Sequence, residues 1–577
     1  LKMIKKILHL FPDLRKNFIT LFSFNLVITI LDVLGISLIG NLVLLLFDME
    51  NNFIYKNFNF FDLSNQNFFL LICIILIIVY FVKSFLSVFF LDKIFRFCFN
   101  QQDKIRKRFL DIFFLSIDNL DNKNYEKNFT ILSNHVKNIT ESFLLQLLKF
   151  VSDAFVLVIL FTFLLYKDLI TTLVLFSISI ITAILYLKIY KKKLINIGDQ
   201  NVIGDELLFK RVDFILNAFR EIKLFNKERV FTEEVVKASN IYTDSAKKFA
   251  LISILPRYYA EFIMIFFIII IALTTTSVGA TVEYEQYSII AIFIATAARI
   301  APMSSSIVQS LSLVQKSRPI LDVVFNFFKF ENIKKKEITS KNFIKDDNKE
   351  NYSILFNKVN FAYGEKKIFS DLNLELKSGN IVGIFGKSGS GKSTLINLLM
   401  GFLTPKTGSI VIKNNGISYP TQPNQIDIRD LKNQIAYIPQ EIRLMDESVI
   451  SNITFDFKND YDVKAFQKSI IDANCQNFIE ELKDKEKTNL GHMGQKLSGG
   501  QRQRIAIARA LYKKRKIIIM DEPFSSLDFE AEKKILDTLL KIKKDKLIII
   551  ISHKDDLKKL FDFNYLINER NKTIDQT

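Results

Sequence analysis

The run Gly386-Lys387-Ser388-Gly389-Ser390-Gly391-Lys392-Ser393-Thr394 places a glycine, four residues and then Gly-Lys-Ser in the spacing of a phosphate-binding loop. The apolar stretch Ile381–Phe385 before it reads as a strand, and Thr394–Leu399 after it reads as a helix. In that context Gly386, Gly389 and Gly391 let backbone N–H groups wrap a phosphate that also faces a helix start. Lys392 can reach the β and γ phosphates and Ser393 can ligate Mg²⁺, with Ser388 and Thr394 in the same cradle. The implied ligands are ATP and Mg²⁺.

A second apolar run, Lys516–Met520, ends in the carboxylates Asp521 and Glu522. On a strand beside the phosphate loop, Asp521 would hold Mg²⁺ and Glu522 would orient and deprotonate an attacking water. The run Leu497-Ser498-Gly499-Gly500-Gln501-Arg502-Gln503-Arg504 offers a hydroxyl and N–H donors at the start of another helix, an electropositive cap suited to a γ-phosphate.

That last run resembles the signature motif of the ATP-binding cassette (ABC) transporters, and the resemblance to their six-span exporters covers nearly the whole chain. It implies head-to-tail cassettes in which Ser498, Gly499, Gly500 and Gln501 of one chain close over ATP held by Lys392 of another, hence a homodimeric half-transporter. The same resemblance makes Tyr363 the adenine-stacking residue and Gln440 the sensor of Mg²⁺ and of the membrane helices. Asp528 becomes the dimer-contact aspartate, and His553 the γ-phosphate contact that helps position Glu522. The segment Asn489–Gly494 departs from the acidic pair many exporters carry there, and its His492 bears on coupling rather than on hydrolysis.

The elements that must carry these residues divide the chain in two. Long runs rich in Phe, Ile and Leu fill roughly the first 330 residues, and short apolar runs alternate with Lys, Asp, Asn and Gly beyond. Six spans are expected, near 18–47, 68–91, 147–166, 169–190, 251–273 and 287–311. Outer links are short (48–66, Lys167-Asp168, and around Val282–Glu285), whereas the inner excursions 92–144 and 191–249 are long and basic. Within the second, Phe214–Phe225 has helical spacing that could carry a membrane helix into the cytosol. The fold class expected is therefore an α-helical six-span membrane domain with long cytoplasmic extensions, residues 1–330, fused to an α/β P-loop domain over 351–577. The charge-rich stretch from 324 to 350, and 331–350 in particular, reads as the linker. No cleavable segment precedes the first span, so it reads as a retained anchor.

The net charge of +18 does not mark a nucleic-acid binder, because the basic residues flank the apolar runs as inner loops do and no nucleic-acid motif accompanies them. Membrane lipids are the expected partners. Cys73, Cys98 and Cys475 are too scattered for a disulfide framework or a metal cluster. Both ends of the chain fall on the cytoplasmic side, and the resemblance implies a bacterial inner membrane.

Among the cations within the apolar runs, Lys83, Arg257 and Arg299 are the ones of interest. A cation in a span must face water, a side chain or an anionic ligand. The runs around them resemble those of the PglK-type flippases for polyprenyl-pyrophosphate-linked oligosaccharides, which implies that all three meet a pyrophosphate in an outward-facing cavity. The plainer alternative is that Lys83 and Arg257 snorkel to an interface and Arg299 pairs with Asp32 or Glu261. A general exporter of lipids or hydrophobic compounds, and a non-transporting regulatory membrane ATPase, stand as the other functions compatible with the sequence.

Overall fold

The computed structural model describes residues 2–47, 65–115, 125–167, 169–277, 284–329, 352–414, 417–420, 434–458, 460–568 and 573–576. Residues 48–64, 168, 278–283 and 330–351, where the sequence predicts the outer loop, the outer links and the linker, lie outside them. The described chain forms two units, residues 1–333 and 334–577.

The first unit is helical: α1 (Lys2–Leu10), α2 (Leu14–Phe47), α3 (Asn65–Leu115), α4 (Leu145–Lys167), α5 (Leu169–Asn217), α6 (Glu228–Ser277), α7 (Tyr284–Lys316) and α8 (Arg318–Lys329). Among the described residues, six helical stretches are long and apolar enough to cross a membrane. The 51 residues of α3 span about 76 Å at 1.5 Å per residue, against a hydrocarbon core of about 30 Å, so much of the helix projects beyond it. Ile77, Phe81, Phe85 and Val88 form an exposed stripe along α3 at helical spacing, suited to lipid, while Lys83 on the opposite side is buried.

Three details depart from expectation. The helix of span four does run on through Phe214, but only to Asn217, because Ala218 leaves helical geometry and separates α5 from a short helix over Phe219–Leu224. Tyr284 and Glu285, expected in an outer link, already belong to α7. The charge-rich stretch opens inside α8, where Val324 and Phe328 are fully buried against Phe109 and Phe143. Apolar residues are sparse only beyond this helix, whereas Ile320, Leu321, Val324 and Phe328 within it are spaced to fall on one helix face.

The second unit contains two sheets. An antiparallel one joins β1 (Tyr352–Tyr363), β2 (Lys366–Lys377), β4 (Thr407–Asn414) and β5 (Ile417–Pro420) in the order β2-β1-β4-β5. The other runs β10-β9-β3-β8-β7-β6, with β3 (Ile381–Phe385), β6 (Ile435–Ile438), β7 (Ile517–Asp521), β8 (Leu547–Ile551), β9 (Phe563–Asn568) and β10 (Thr573–Gln576). Strands β9, β3, β8, β7 and β6 are all parallel. Covered on both faces, β3 and β8 are buried at every position, which is why they read as unbroken apolar runs rather than alternations. By contrast β2, wet on one side, buries Leu372, Leu374 and Leu376 and exposes the residues between.

Candidate nucleotide and cation sites

Parallel strands deliver their C-terminal ends to one edge of the sheet, where ligands of open α/β sheets bind. The phosphate loop leaves β3, Gln440 follows β6, Asp521 ends β7 and His553 follows β8, so the topology alone gathers four distant segments.

In the loop, Gly391 caps α9 (Lys392–Leu399) with φ 108°. A Cβ there would lie 2.8 Å from Ile368 Cγ2, so both the left-handed backbone and the close approach require glycine. Lys392 is buried, and its ammonium donates to the carbonyls of Gly386 and Lys387, both at 2.8 Å, folding the loop around it. Ser388 and Gly389 are exposed at the loop's tip, Ser393 is exposed at the helix start, and Thr394 is buried behind it. Ser390, which the sequence reading left without a role, is buried with its hydroxyl unmatched by any protein partner. A curled loop with buried cationic and hydroxyl groups fits a polyphosphate.

The register of β7 on β8 pairs Asp521 with Ile551 and so brings Glu522 beside His553. One carboxylate oxygen of Glu522 lies 3.0 Å from His553 Nε2, and the other accepts a 3.0 Å hydrogen bond from the Gln440 amide. Sequence positions 440, 522 and 553 thus form one cluster around a single carboxylate. Burial first, and then the charge of Glu522, push the Asp521 carboxyl above its usual range, with Lys392 and His553 opposing. Two carboxylates crowded at a strand end suit a divalent cation such as Mg²⁺, which would relieve both effects. Tyr437 on β6 is pushed up to about 12 by burial and by Asp521.

The signature run opens α10 (Gly499–Tyr512). Ser498 is its N-cap, accepting from the Gln501 amide at 3.2 Å while the Gln501 side chain accepts from Ser498 N at 2.9 Å. The reciprocal pair fixes the helix start and leaves the N–H groups of Gly499 and Gly500 at its electropositive end. Asp528 caps α11 (Phe529–Ile542) through a 2.7 Å bond from Ala531 N and is otherwise exposed. Tyr363 ends β1 with its ring half-exposed, edge-on to Phe361 at 5.0 Å. His492 sits in an exposed turn beside Met493.

The membrane cations do not converge as expected. Lys83 and Arg299 share the buried Asp32, Lys83 on one carboxylate oxygen and Arg299 Nη2 on the other at 3.2 Å, which ties α3 and α7 to α2. Lys83 therefore does not snorkel. Arg299 keeps its buried Nε without a protein acceptor. Arg257 stands apart, exposed on α6 and paired one turn along with Glu261 at 3.0 Å. An apolar cavity of ≈ 190 Å³ lies between α4, α5, α6 and α7, with Phe161, Phe176, Met264 and Ile300 in its wall.

Two family models match: "ABC transporter transmembrane region" over residues 18–299 and "ABC transporter" over residues 369–525. The chain belongs to the ABC transporter family and is a multi-pass membrane protein. Among its relatives, an export ATP-binding/permease protein of Rickettsia prowazekii is 35% identical over 48% of this chain and 45% of its own length. An ATP-dependent lipid A-core flippase of Francisella tularensis is 28% identical over 64% of this chain and 59% of its own. The chain thus spans about half the length of the curated relatives it matches. A solved bacterial Atm1-family ABC exporter with ATP bound superposes with a TM-score of 0.77 at 18% identity, covering 98% of this chain and 95% of the other, and so shares its fold.

Proposed function

We propose that two copies of this chain form an ATP-hydrolysing exporter that moves an anionic amphiphile from the cytoplasmic to the outer leaflet of a bacterial inner membrane. Its leading cargo is a polyprenyl-pyrophosphate-linked oligosaccharide. The observation that carries the ATPase reading is the convergence of Gln440 and His553 on the Glu522 carboxylate at the edge that also holds the phosphate loop. Glu522 accepts a proton from water, and its two neighbours fix the direction in which it does so. Lys392, Ser390 and the loop amides bind and orient the phosphates. Ser393, Asp521 and Gln440 are the residues to hold Mg²⁺, which when bound neutralises charge building on the phosphates. Tyr363 stacks the base, and Ser498, Gly499, Gly500, Gln501 and Asp528 serve the nucleotide held by the second copy. Closure and release of the cassettes are carried to the bilayer by the long helical extensions.

Arg299 supports the anionic headgroup, since a cation in a span with an unmatched Nε is one a phosphate could complete. The relative named as a lipid A-core flippase supports an amphiphilic cargo. Self-pairing of the three cations and the apolar cavity favour a second reading, a general exporter of lipids or hydrophobic compounds. ATPase activity in proteoliposomes separates them. The first reading expects stimulation by pyrophosphate-linked lipid, lost in Arg299→Ala; equal stimulation by neutral hydrophobic compounds, kept in Arg299→Ala, supports the second.

A further inference from the structure

Gln503 lies on α10 one turn beyond the signature residues and is 2% exposed. Its amide is engaged at both ends by another segment: Nε2 donates to the carbonyl of Glu522 at 3.0 Å, and Oε1 accepts from the amide of Ser526 at 3.2 Å. It therefore clamps both ends of the turn that carries Glu522 away from β7 and leads to Asp528. Glu522 holds φ 49°, a left-handed backbone that a residue with a Cβ keeps only when its surroundings impose it. Its own N–H is fixed to Ile551 O at 3.0 Å on the other side. The first turn of α10 rests on the same segment, because a Cβ on Gly500 would come within 2.8 Å of Ser526 O. Only a side chain with one donor and one acceptor at this reach satisfies both ends; Lys or Arg would supply donors alone and ionised Glu acceptors alone.

We infer that Gln503 is a positioning residue that couples the start of α10 to the aim of the Glu522 carboxylate. The inference rests on the proposed pairing of two cassettes, in which the nucleotide of the second copy closes on Ser498–Gly500. Gln503 lies five residues from Ser498, about 8 Å along the helix, so a shift of the capped end reaches the Glu522 turn through one buried amide. The carboxylate then moves relative to Gln440 and His553, and occupancy of one nucleotide site sets the readiness of the other.

The test compares the native full chain with Gln503→Ala and Gln503→Glu in proteoliposomes, following ATP hydrolysis against ATP concentration at several pH values. For Gln503→Ala we expect kcat to fall about tenfold with KM within about twofold of native, and the Hill coefficient to drop to about 1. A buried Glu facing a carbonyl has its pKa raised, and once protonated its O–H replaces the lost amide donor. The kcat of Gln503→Glu relative to native should therefore rise as pH falls, while the ratio for Gln503→Ala stays flat. Dividing by native at each pH removes the titration of Asp521, Glu522 and His553 common to all three proteins. If Gln503→Ala fails to fold, the pH ratio of Gln503→Glu carries the test, and a flat ratio overturns the inference. A cooperative native enzyme with Gln503→Ala unchanged in kcat and Hill coefficient overturns it alone. A native Hill coefficient of about 1 overturns this inference, whereas the paired-cassette reading falls only if the native chain is a single copy in the same liposomes.

Discussion

Glu522 accepts a bond from Gln440 and meets His553 while its backbone is held off the usual basins, a geometry that leaves its carboxylate little choice of direction. Glu522→Gln should keep the side chain's volume and remove its basicity. Phosphate release is expected to fall by about 10²- to 10⁴-fold, with ATP binding retained in a filter assay of the same preparation. Asp521 makes a different prediction. Its raised pKa means the folded, nucleotide-free chain disfavours the ionised form, a penalty present at pH above the raised value and relieved as pH falls through it. Asp521→Asn should then raise the unfolding midpoint of the nucleotide-free chain at neutral pH by about 2 °C, the gain shrinking in acid, while hydrolysis is lost. The placement of Lys392 and Ser393 between a buried strand and a helix, and of Glu522 just past another buried strand, was legible because it needs only neighbours in sequence. Ser390 and Gln503 were not, since one depends on how the loop curls and the other on a turn some twenty residues further on.

At the scale of elements, unbroken apolar runs announced β3 and β7, because burial on both faces is written directly in the pattern. The break at Ala218 and the π-helical turns over Ile131–His135 and Ile139–Leu144 have no such signature, being settled by packing between helices. By contrast α8 does carry a signature, since Ile320, Leu321, Val324 and Phe328 recur at helical spacing and are the residues it buries. The join of β3 to α9 is the most constrained of these elements. Gly391→Ala must accommodate both φ 108° and a 2.8 Å approach to Ile368. It should cost about 1–3 kcal/mol of cassette stability and abolish ATP binding, measured by thermal unfolding with and without nucleotide.

Across the whole molecule, one carboxylate in the membrane unit restrains two cations on two other helices. The sequence offered Arg299 either Asp32 or Glu261, and packing decided: Asp32 faces α3 and α7, whereas Glu261 serves Arg257 on its own helix. Removing the shared partner leaves two uncompensated charges, so Asp32→Ala should destabilise the chain by about 3–5 kcal/mol, and Lys83→Met, which leaves the Arg299 pair intact, by clearly less. Unfolding midpoints in detergent micelles compare the two. The measurement that bears most directly on the account is ATP-dependent movement of a pyrophosphate-linked oligosaccharide lipid across proteoliposomes, with the native chain beside Glu522→Gln. The account predicts movement by the native chain and none by the variant. Native hydrolysis of ATP with no movement of this lipid would contradict the cargo, and movement undiminished in Glu522→Gln would contradict the ATP-driven mechanism itself.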